Sequence, residues 1–193
     1  MDNFLPQDYA GVPKTNSKYL KFVEGNNKFR ILSPAITGWL DWTEDKKPIR
    51  TKDQPKQLVN PAKPAKHFWA FVVFDYLSSE IKILEITQAT VQNAIYDLHN
   101  DQNWGNPQCY DLTVKKTGKD METKYSVIPT PPMPVNPEIK QLYENLTIDL
   151  TELYRNGDPF SPSGTNTQLS SENAPQGQIE PNTSEILDSE IPF

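Results

Sequence analysis

The fold is decided by the stretch KHFWAFVVFDY (residues 66–76), the most strongly strand-forming segment of the chain. It is rich in aromatic and β-branched residues, which are the types enriched in strands. A turn at Ser78-Ser79 follows, and then comes a second apolar and β-branched run, IKILEIT (81–87). Two such runs around a short turn predict a β-hairpin.

The flanking sequence adds elements on both sides of this hairpin. On the N-terminal side, KFRILSPAITGWLDW (28–42) predicts a long strand broken at Ser33-Pro34, because proline removes a donor from the strand ladder. On the C-terminal side, apolar residues at helical spacing predict a helix over 88–100. YDLTVKK and TKYSVIP then predict a second hairpin within 110–129. Three strands, one helix and two strands are the order of a five-stranded OB-fold barrel, so we predict an all-β fold with accessory helices.

The rest of the chain divides by composition. Five prolines in 129–137 predict a stiff, extended linker, and apolar spacing after them predicts a helix over 138–154. The polar sequence that follows predicts disorder, because it has too little apolar surface to offset the entropy of ordering. The predicted parts are an N-terminal arm (1–18), an OB-fold domain (19–135), a C-terminal helix (136–155), a disordered linker (156–184) and an acidic tip (185–193).

Charge is unevenly distributed along the 193 residues, whose net charge is −6. From Lys14 to Lys124 there are 17 basic and 13 acidic residues, and the basic excess is concentrated at 44–66. Residues 161–193, in contrast, carry five acids and no Lys or Arg. A mildly basic body with an acidic tail is compatible with nucleic-acid binding. The alternative is that the lysines form an ordinary solvated loop.

The sequence argues against metal, catalytic and membrane classes. Cys109 is the single cysteine, so no internal disulfide is expected, and with His67 and His99 it does not make a four-ligand zinc set. No Gly-rich phosphate loop and no hydrolase or metalloprotease motif is present, and no cofactor is expected. The N-terminus lacks the pattern of a secretory signal, and no run approaches the roughly 20 apolar residues of a membrane helix. A cytoplasmic location is therefore expected.

Binding of a single strand without base selection requires cations for the phosphates and flat aromatic faces for the bases. In the first strand of the central hairpin, the wholly apolar alternate positions are expected to face the barrel interior (Phe68, Ala70, Val72 and Phe74). The other face is bounded by polar residues, so Trp69 and Phe71 are expected to be exposed, and so is Trp39 by the same reasoning. The alternative is that these rings belong to the core. The predicted ssDNA-binding residues are Trp39, Lys46, Lys47, Arg50, Lys52, Lys63, Lys66, His67, Trp69, Phe71, Lys115 and Lys124.

The last residues of the chain predict a docking tip for protein partners. They join acids to apolar residues and a final aromatic that carries the terminal carboxylate. Such a tip can place its ring in a partner's pocket while its acids meet Arg or Lys. An acidic tail alone does not explain the apolar residues. The predicted partner-binding residues are Glu185, Asp188, Glu190, Ile191, Pro192 and Phe193.

The block from about 19 to 135 resembles the single-stranded DNA-binding proteins of tailed bacteriophages and prophages. The resemblance rests on YLKFVEGNNKFRIL (19–32), GWLDW (38–42), KHFWAFVVFDY (66–76), IKILEITQATVQNAI (81–95) and NWGNPQCYDLTVKKTGKDMETKYSV (103–127). The last six residues are similar to the acidic Ile-Pro-Phe tip of bacterial single-stranded DNA-binding proteins, which recruits replication and repair enzymes. The resemblance implies an OB-fold that binds ssDNA in phage replication, recombination or repair. Some phage relatives hold a zinc ion, but this chain lacks the ligands, so the resemblance implies no metal. It also implies no tetramer of the bacterial kind, because the body of the bacterial proteins does not match this chain.

The sequence therefore predicts a non-enzymatic protein of the bacterial host cytoplasm that binds single-stranded DNA. It is expected to recruit replication, recombination and repair proteins through the tip, and a homo-oligomer is compatible with the sequence. One alternative is an OB-fold protein-interaction adaptor with weak or no DNA binding. Another is a nuclease, which would require clustered carboxylates and a divalent metal.

Overall fold

The structure, a computed structural model, describes residues 17–61 and 63–162. Its strands are β1 (Tyr19–Leu20), β2 (Gly25–Ile31), β3 (Ile36–Trp42), β4 (Pro48–Thr51), β5 (Lys66–Asp75), β6 (Glu80–Ile86), β7 (Asp111–Thr117) and β8 (Lys124–Pro129). Its helices are α1 (Ala89–Asn100) and α2 (Pro137–Glu144), with 3-10 turns at Pro107–Cys109, Asp120–Glu122 and Leu150–Arg155. The prediction of a mainly β fold with accessory helices is confirmed.

The strands form one mixed sheet with the order β1-β6-β5-β2-β7-β8, and β3 pairs with both β4 and β5. Both predicted hairpins, β5–β6 and β7–β8, are antiparallel pairs. The predicted helix is α1, which lies between them in the chain and packs against β8. Within the described residues β6 and β8 share no ladder, so the sheet is open along this line.

The predicted break at Ser33-Pro34 separates β2 from β3, and both strands pair with β5. Residues 29–31 lie opposite 73–75, and residues 36–40 lie opposite 66–70. The Ser33 hydroxyl keeps the ladder continuous, because it accepts a hydrogen bond from the Val72 amide at 2.9 Å. The two strands therefore follow β5 as one long path with a local bend.

Apolar residues cover both faces of β5 and form two clusters. We call the first the inner core, because α1 and strands β2, β5, β6 and β7 enclose it. Its buried members are Leu20, Phe29, Ile31, Phe71, Val73, Leu84, Ile86, Val91, Ile95, Tyr110, Leu112 and Val114. The second cluster, the outer core, contains Leu40, Phe68, Ala70, Val72, Ile83, Leu150 and Leu153.

The predicted orientation of β5 is wrong. Phe68, Ala70 and Val72, which were expected to face the interior, pack on the outer core. Phe71 and Val73, on the face expected to be exposed, lie in the inner core. A strand that is covered on both sides is apolar on both faces, so alternation of residue types does not identify the interior face.

The outer core is covered by the segment 137–162, which we call the C-terminal strap. The single helix predicted over 138–154 is instead α2 followed by a 3-10 turn, with a new cap at Asp149, whose carboxylate accepts a hydrogen bond from the Thr151 amide at 2.8 Å. Disorder was predicted from residue 156, but the described part of that linker packs on the sheet. Asp158 pairs with Lys18, and Phe160 contacts the outer core.

A buried polar cluster fixes the proline-rich segment that precedes the strap. The Arg30 guanidinium pairs with Asp111 at 3.1 Å and donates to the Met133 carbonyl at 2.6 Å and the Gln108 carbonyl at 3.1 Å. The Tyr76 hydroxyl donates to Asp111 at 3.1 Å. Burial and the neighbouring Asp111 carboxylate raise the pKa of Tyr76 from 10.0 to about 12. The cluster therefore joins β2, β7 and the chain beyond β8.

Candidate nucleic-acid interface

Trp39, His67 and Trp69 share one face of the β3–β5 pair, and we call this surface the aromatic rim. Trp39 lies opposite His67 in the ladder, and Thr37 lies opposite Trp69. The Trp39 and His67 ring centroids are 5.5 Å apart at an interplanar angle of 70°. All three rim side chains are half-buried, so each ring combines a fixed position with accessible area. This is the arrangement that stacking of an unpaired base requires.

The helix α1 packs on the same face of the sheet and fixes the backbone beside the rim. The Gln92 side-chain amide donates to the Ile86 carbonyl at 2.9 Å and to the His67 carbonyl at 3.2 Å. One buried side chain thus fastens the helix to both strands of the central hairpin. The bond to β5 is made to the His67 backbone carbonyl, and the His67 ring itself is half-buried on the rim face set by the ladder.

Phe71 is a correction to the predicted set. Its side chain is 2% exposed and packs in the inner core. It lies two residues beyond Trp69 on the same face, where α1 covers the sheet, whereas Trp69 lies at the margin of that cover. Phe71 therefore belongs to the inner core and is not one of the accessible rings of the rim.

A pocket of about 350 Å³ opens next to the rim. One wall comes from the β2–β3 bend and β5 and includes Ala35, Trp69 and Phe71. The second wall is the last half of α1, with Tyr96 and His99, and the third is the 3-10 turn that follows Asn106. Sequence reasoning missed this pocket. The signal that could have found part of it is Tyr96, an aromatic residue that lies off the apolar stripe of α1 and is 56% exposed.

The lysines nearest to the rim in the chain lie on the β3–β4 hairpin and the loop after it. Lys46 and Lys47 form the hairpin turn, in which the Thr43 amide donates to the Lys47 carbonyl and the Lys46 amide donates to the Thr43 carbonyl. The Lys47 amide donates to the Thr43 hydroxyl. Both side chains are exposed, as are those of Lys52, Lys63 and Lys66. Lys52 is directed to the strap side, since its ammonium lies 5.5 Å from the Tyr154 ring centroid. Burial raises the pKa of that tyrosine.

Arg50 is the second correction. Its guanidinium nitrogen Nε lies 2.6 Å from a Glu85 carboxylate oxygen, and both side chains are largely buried. In the ladder Arg50 lies opposite Leu40, so it belongs to the outer-core face, away from the rim. Its guanidinium is already paired with a carboxylate within the fold, on the face opposite the rim.

Lys115 and Lys124 lie on the β7–β8 hairpin, and both are exposed. Lys115 pairs in register with Ser126 and Asn26, and Lys124 pairs with Thr117. This hairpin adjoins β2, whereas the rim is built on β3 and β5. The structure therefore groups the three rim residues but divides the predicted cations into two sets, one near each end of the β2–β3 path.

In residues 17–61 and 63–162 there is no group of three or more His, Cys, Asp or Glu side chains that could hold a metal ion. Among the described helices, none is both long enough and apolar enough to span a bilayer. The predicted partner-binding residues, from Glu185 to Phe193, lie outside the described part of the chain.

Comparison with known proteins agrees with the resemblance seen in the sequence. The chain is 26% identical, over 140 aligned residues, to a protein of Escherichia phage T5 described as a probable ssDNA-binding protein. The alignment covers 57% of this chain and 54% of the phage protein, so the chain spans about half the length of this relative. No family model and no solved structure matches the chain. The similarity supports the predicted resemblance to phage single-stranded DNA-binding proteins.

Proposed function

We propose that this chain binds single-stranded DNA without base selection and stacks bases on Trp39 and Trp69 of the aromatic rim. The observation that carries the proposal is the accessible pair of indoles on one face of the β3–β5 pair, fixed by the ladder and by Gln92. The similarity to the phage T5 protein supports the same function. Stacking contributes about 1–3 kcal/mol per base and accepts any base, because every base has a π-face.

The phosphates would contact the exposed lysines of the two hairpins. Lys46 and Lys47 lie at the tip of β3–β4, and Lys63 and Lys66 lie on the return to β5. A strand that crosses the rim would reach the lysines at the hairpin tip first, and Lys115 and Lys124 would extend the path along β7–β8. Lys66 lies opposite Leu40 in the ladder, so its side chain starts on the outer-core face, as that of Arg50 does. Arg50 and Phe71 have no direct role in this proposal, since each is committed to internal contacts.

The architecture is interpreted as an OB-type barrel that carries a C-terminal strap. Strand and helix order support this interpretation, although the described sheet is open between β6 and β8. The proposed setting is phage DNA replication, recombination or repair in the host cytoplasm, without enzymatic activity. In this proposal Glu185, Asp188, Glu190, Ile191, Pro192 and Phe193 recruit replication proteins.

The test is an equilibrium titration of the full chain with oligo(dT), monitored by quenching of tryptophan fluorescence. We expect salt-dependent binding, with each neutralised phosphate contributing about −0.7 to the slope of log affinity against log salt. Duplex DNA of equal length is the control and is expected to bind more weakly. Absence of quenching by oligo(dT), or equal affinity for the duplex, would contradict the proposal.

A protein-interaction adaptor is the second candidate, and one observation favours it. Leu142 and Leu146, on α2 and just after it, are both more than two-fifths exposed on the surface of the strap. An adaptor would retain a protein partner through this surface and show no quenching by oligo(dT). The same titration therefore separates the two functions.

A further inference from the structure

The pocket next to the aromatic rim has walls that the fold makes rigid. The third wall begins at Asn106, whose side-chain oxygen accepts a hydrogen bond from the Gln108 amide at 3.0 Å. The Gln108 carbonyl is in turn held by Arg30 at 3.1 Å, within the buried polar cluster. The opposite wall comes from the β2–β3 bend and β5, where the Phe71 side chain is buried in the inner core. The fold itself therefore fixes the pocket walls, and small-molecule sites are usually preformed in this way.

The lining has the chemistry of a slot for a flat, polar-edged ring. Most of the exposed lining is apolar, with Trp69, Phe71 and Ile95 on its walls. His99, Asn106 and Gln108 add an imidazole and two side-chain amides on the α1 and 3-10 sides. A nucleobase has apolar faces and hydrogen-bonding edges, so it satisfies both parts of this lining. The two side-chain amides already contact each other, with Asn106 Nδ2 donating to Gln108 Oε1 at 3.5 Å, and the polar edge of a base would add hydrogen bonds that an aliphatic side chain cannot make.

Size and position agree with this occupant. A volume of about 350 Å³ lies at the lower end of the range of about 300–1,000 Å³ for ligand sites, which suits one nucleoside. Trp69 belongs both to the pocket and to the rim, so a strand that stacks on the rim passes the pocket mouth. No part of the lining is a lysine or an acid.

We propose that the pocket between α1, the β2–β3 bend and the 3-10 turn holds one unstacked base of the bound strand. The base ring lies against Trp69, and its edge meets the amides of Asn106 and Gln108. This inference rests on the proposed function, and it adds one position at which the strand is held in a pocket and not on an open surface. Because amides can both donate and accept, the pocket can satisfy the edge of more than one base, in agreement with binding without base selection.

The matched variants are Ala35→Leu and Ala89→Leu. Ala35 is exposed on the pocket wall, so a leucine there fills the pocket without changing Trp69. Ala89 is exposed at the first position of α1, ten residues and about 15 Å of helix from His99, so it controls for an added leucine. Thermal unfolding of both variants checks that each is folded.

Two measurements decide the inference. In the first, deoxynucleoside monophosphates are titrated into the wild-type chain and followed by NMR. We expect saturable shifts of the Trp69 indole N–H and of the Asn106 and Gln108 side-chain amides, retained in Ala89→Leu and lost in Ala35→Leu. In the second, Ala35→Leu is expected to bind oligo(dT) about 5- to 100-fold more weakly, with an unchanged salt slope.

The outcomes separate this inference from the proposed function. If Ala35→Leu binds oligo(dT) as tightly as the wild type and the monophosphates leave the Trp69 and amide signals unmoved, the pocket inference is wrong while strand binding stands. If the wild type does not bind oligo(dT), the proposed function fails. The monophosphate titration then shows by itself whether the pocket takes a base.

Discussion

The two faces of β5 differ in what covers them. On one face, Phe68 and Val72 are sealed by the C-terminal strap, a segment about 80 residues later in the chain. On the other, Phe71 is fully buried in the inner core, whereas Trp69 and His67 on the same face are half-buried and accessible. Trp69 therefore lies at the margin of the covered part of this face, and Phe71 lies inside it. The comparison shows that the exposure of an aromatic ring depends on how fully the folded chain covers its position, not on the polarity of its neighbours in the sequence.

The largest expected effect concerns Phe71, on the covered side of this margin. Phe71→Ala should lower the free energy of unfolding by about 3–5 kcal/mol, because it leaves a cavity in the inner core. Urea unfolding measures the loss, with Trp69→Ala as the half-buried comparison that should cost less. A Phe71→Ala protein of normal stability that has lost affinity for ssDNA would show that the ring is a base contact after all.

The next effect concerns Trp69, on the open side of the same margin. Trp69→Ala should weaken binding of oligo(dT) by about 1–3 kcal/mol, through loss of one stacked base. Trp42 provides a matched control, because its indole is 38% exposed but points to the other face of β3. Fluorescence anisotropy with labelled oligo(dT) compares the two. Equal losses of oligo(dT) affinity in Trp42→Ala and Trp69→Ala would show that the rim face is not the preferred binding face.

A third prediction contrasts exposed and internally paired cations. Replacing Lys46 and Lys47 together with alanine should reduce the magnitude of the salt slope by about 1.4, since each phosphate contact contributes about 0.7. Affinity is measured over a series of salt concentrations.

Arg50→Ala is the control for this lysine pair. It should leave the slope unchanged and lower the free energy of unfolding by about 1–3 kcal/mol, because Glu85 loses its partner. A smaller slope of log affinity against log salt in Arg50→Ala would show that Arg50 does contact a phosphate.

The smallest effect concerns Tyr76, remote from the rim. Its pKa in the folded chain is about 12, against an ordinary 10.0, so the native state keeps a proton that the unfolded state has lost between these values. The stability from the neutral phenol is therefore complete below pH 10 and is lost as the pH rises through about 12. Absorbance titration of the wild type and Tyr76→Phe should differ by one phenol that ionises near pH 12. A difference near pH 10 would contradict the buried contact with Asp111.

The sequence predicted the elements that local pattern controls. The two hairpins, the helix α1 and the break at Ser33-Pro34 each depend on residues close together in the chain, such as the turn at Ser78-Ser79. The half-buried positions of Trp39 and Trp69 are compatible with the exposure expected for them. That these two rings bind DNA bases remains a prediction.

Features that depend on distant partners could not be predicted. Leu150 and Leu153 of the strap bury one face of β5, and the sequence of 66–76 contains no sign that a distant segment packs there. The sequence predicts Arg50 as a DNA-binding cation, because its partner Glu85 lies 35 residues later and becomes a neighbour only in the folded sheet. The pocket joins three separate segments of the chain, so no single motif encodes it.

The pairing of Lys18 with Asp158 has a consequence for the two ends of the described chain. It brings the first and last described segments together beside Phe160, behind the outer core. The described chain therefore starts and finishes at adjacent places on the strap side of the sheet, opposite the face that carries Trp39 and Trp69. One ion pair thus closes the described chain into a loop whose junction lies away from the aromatic rim.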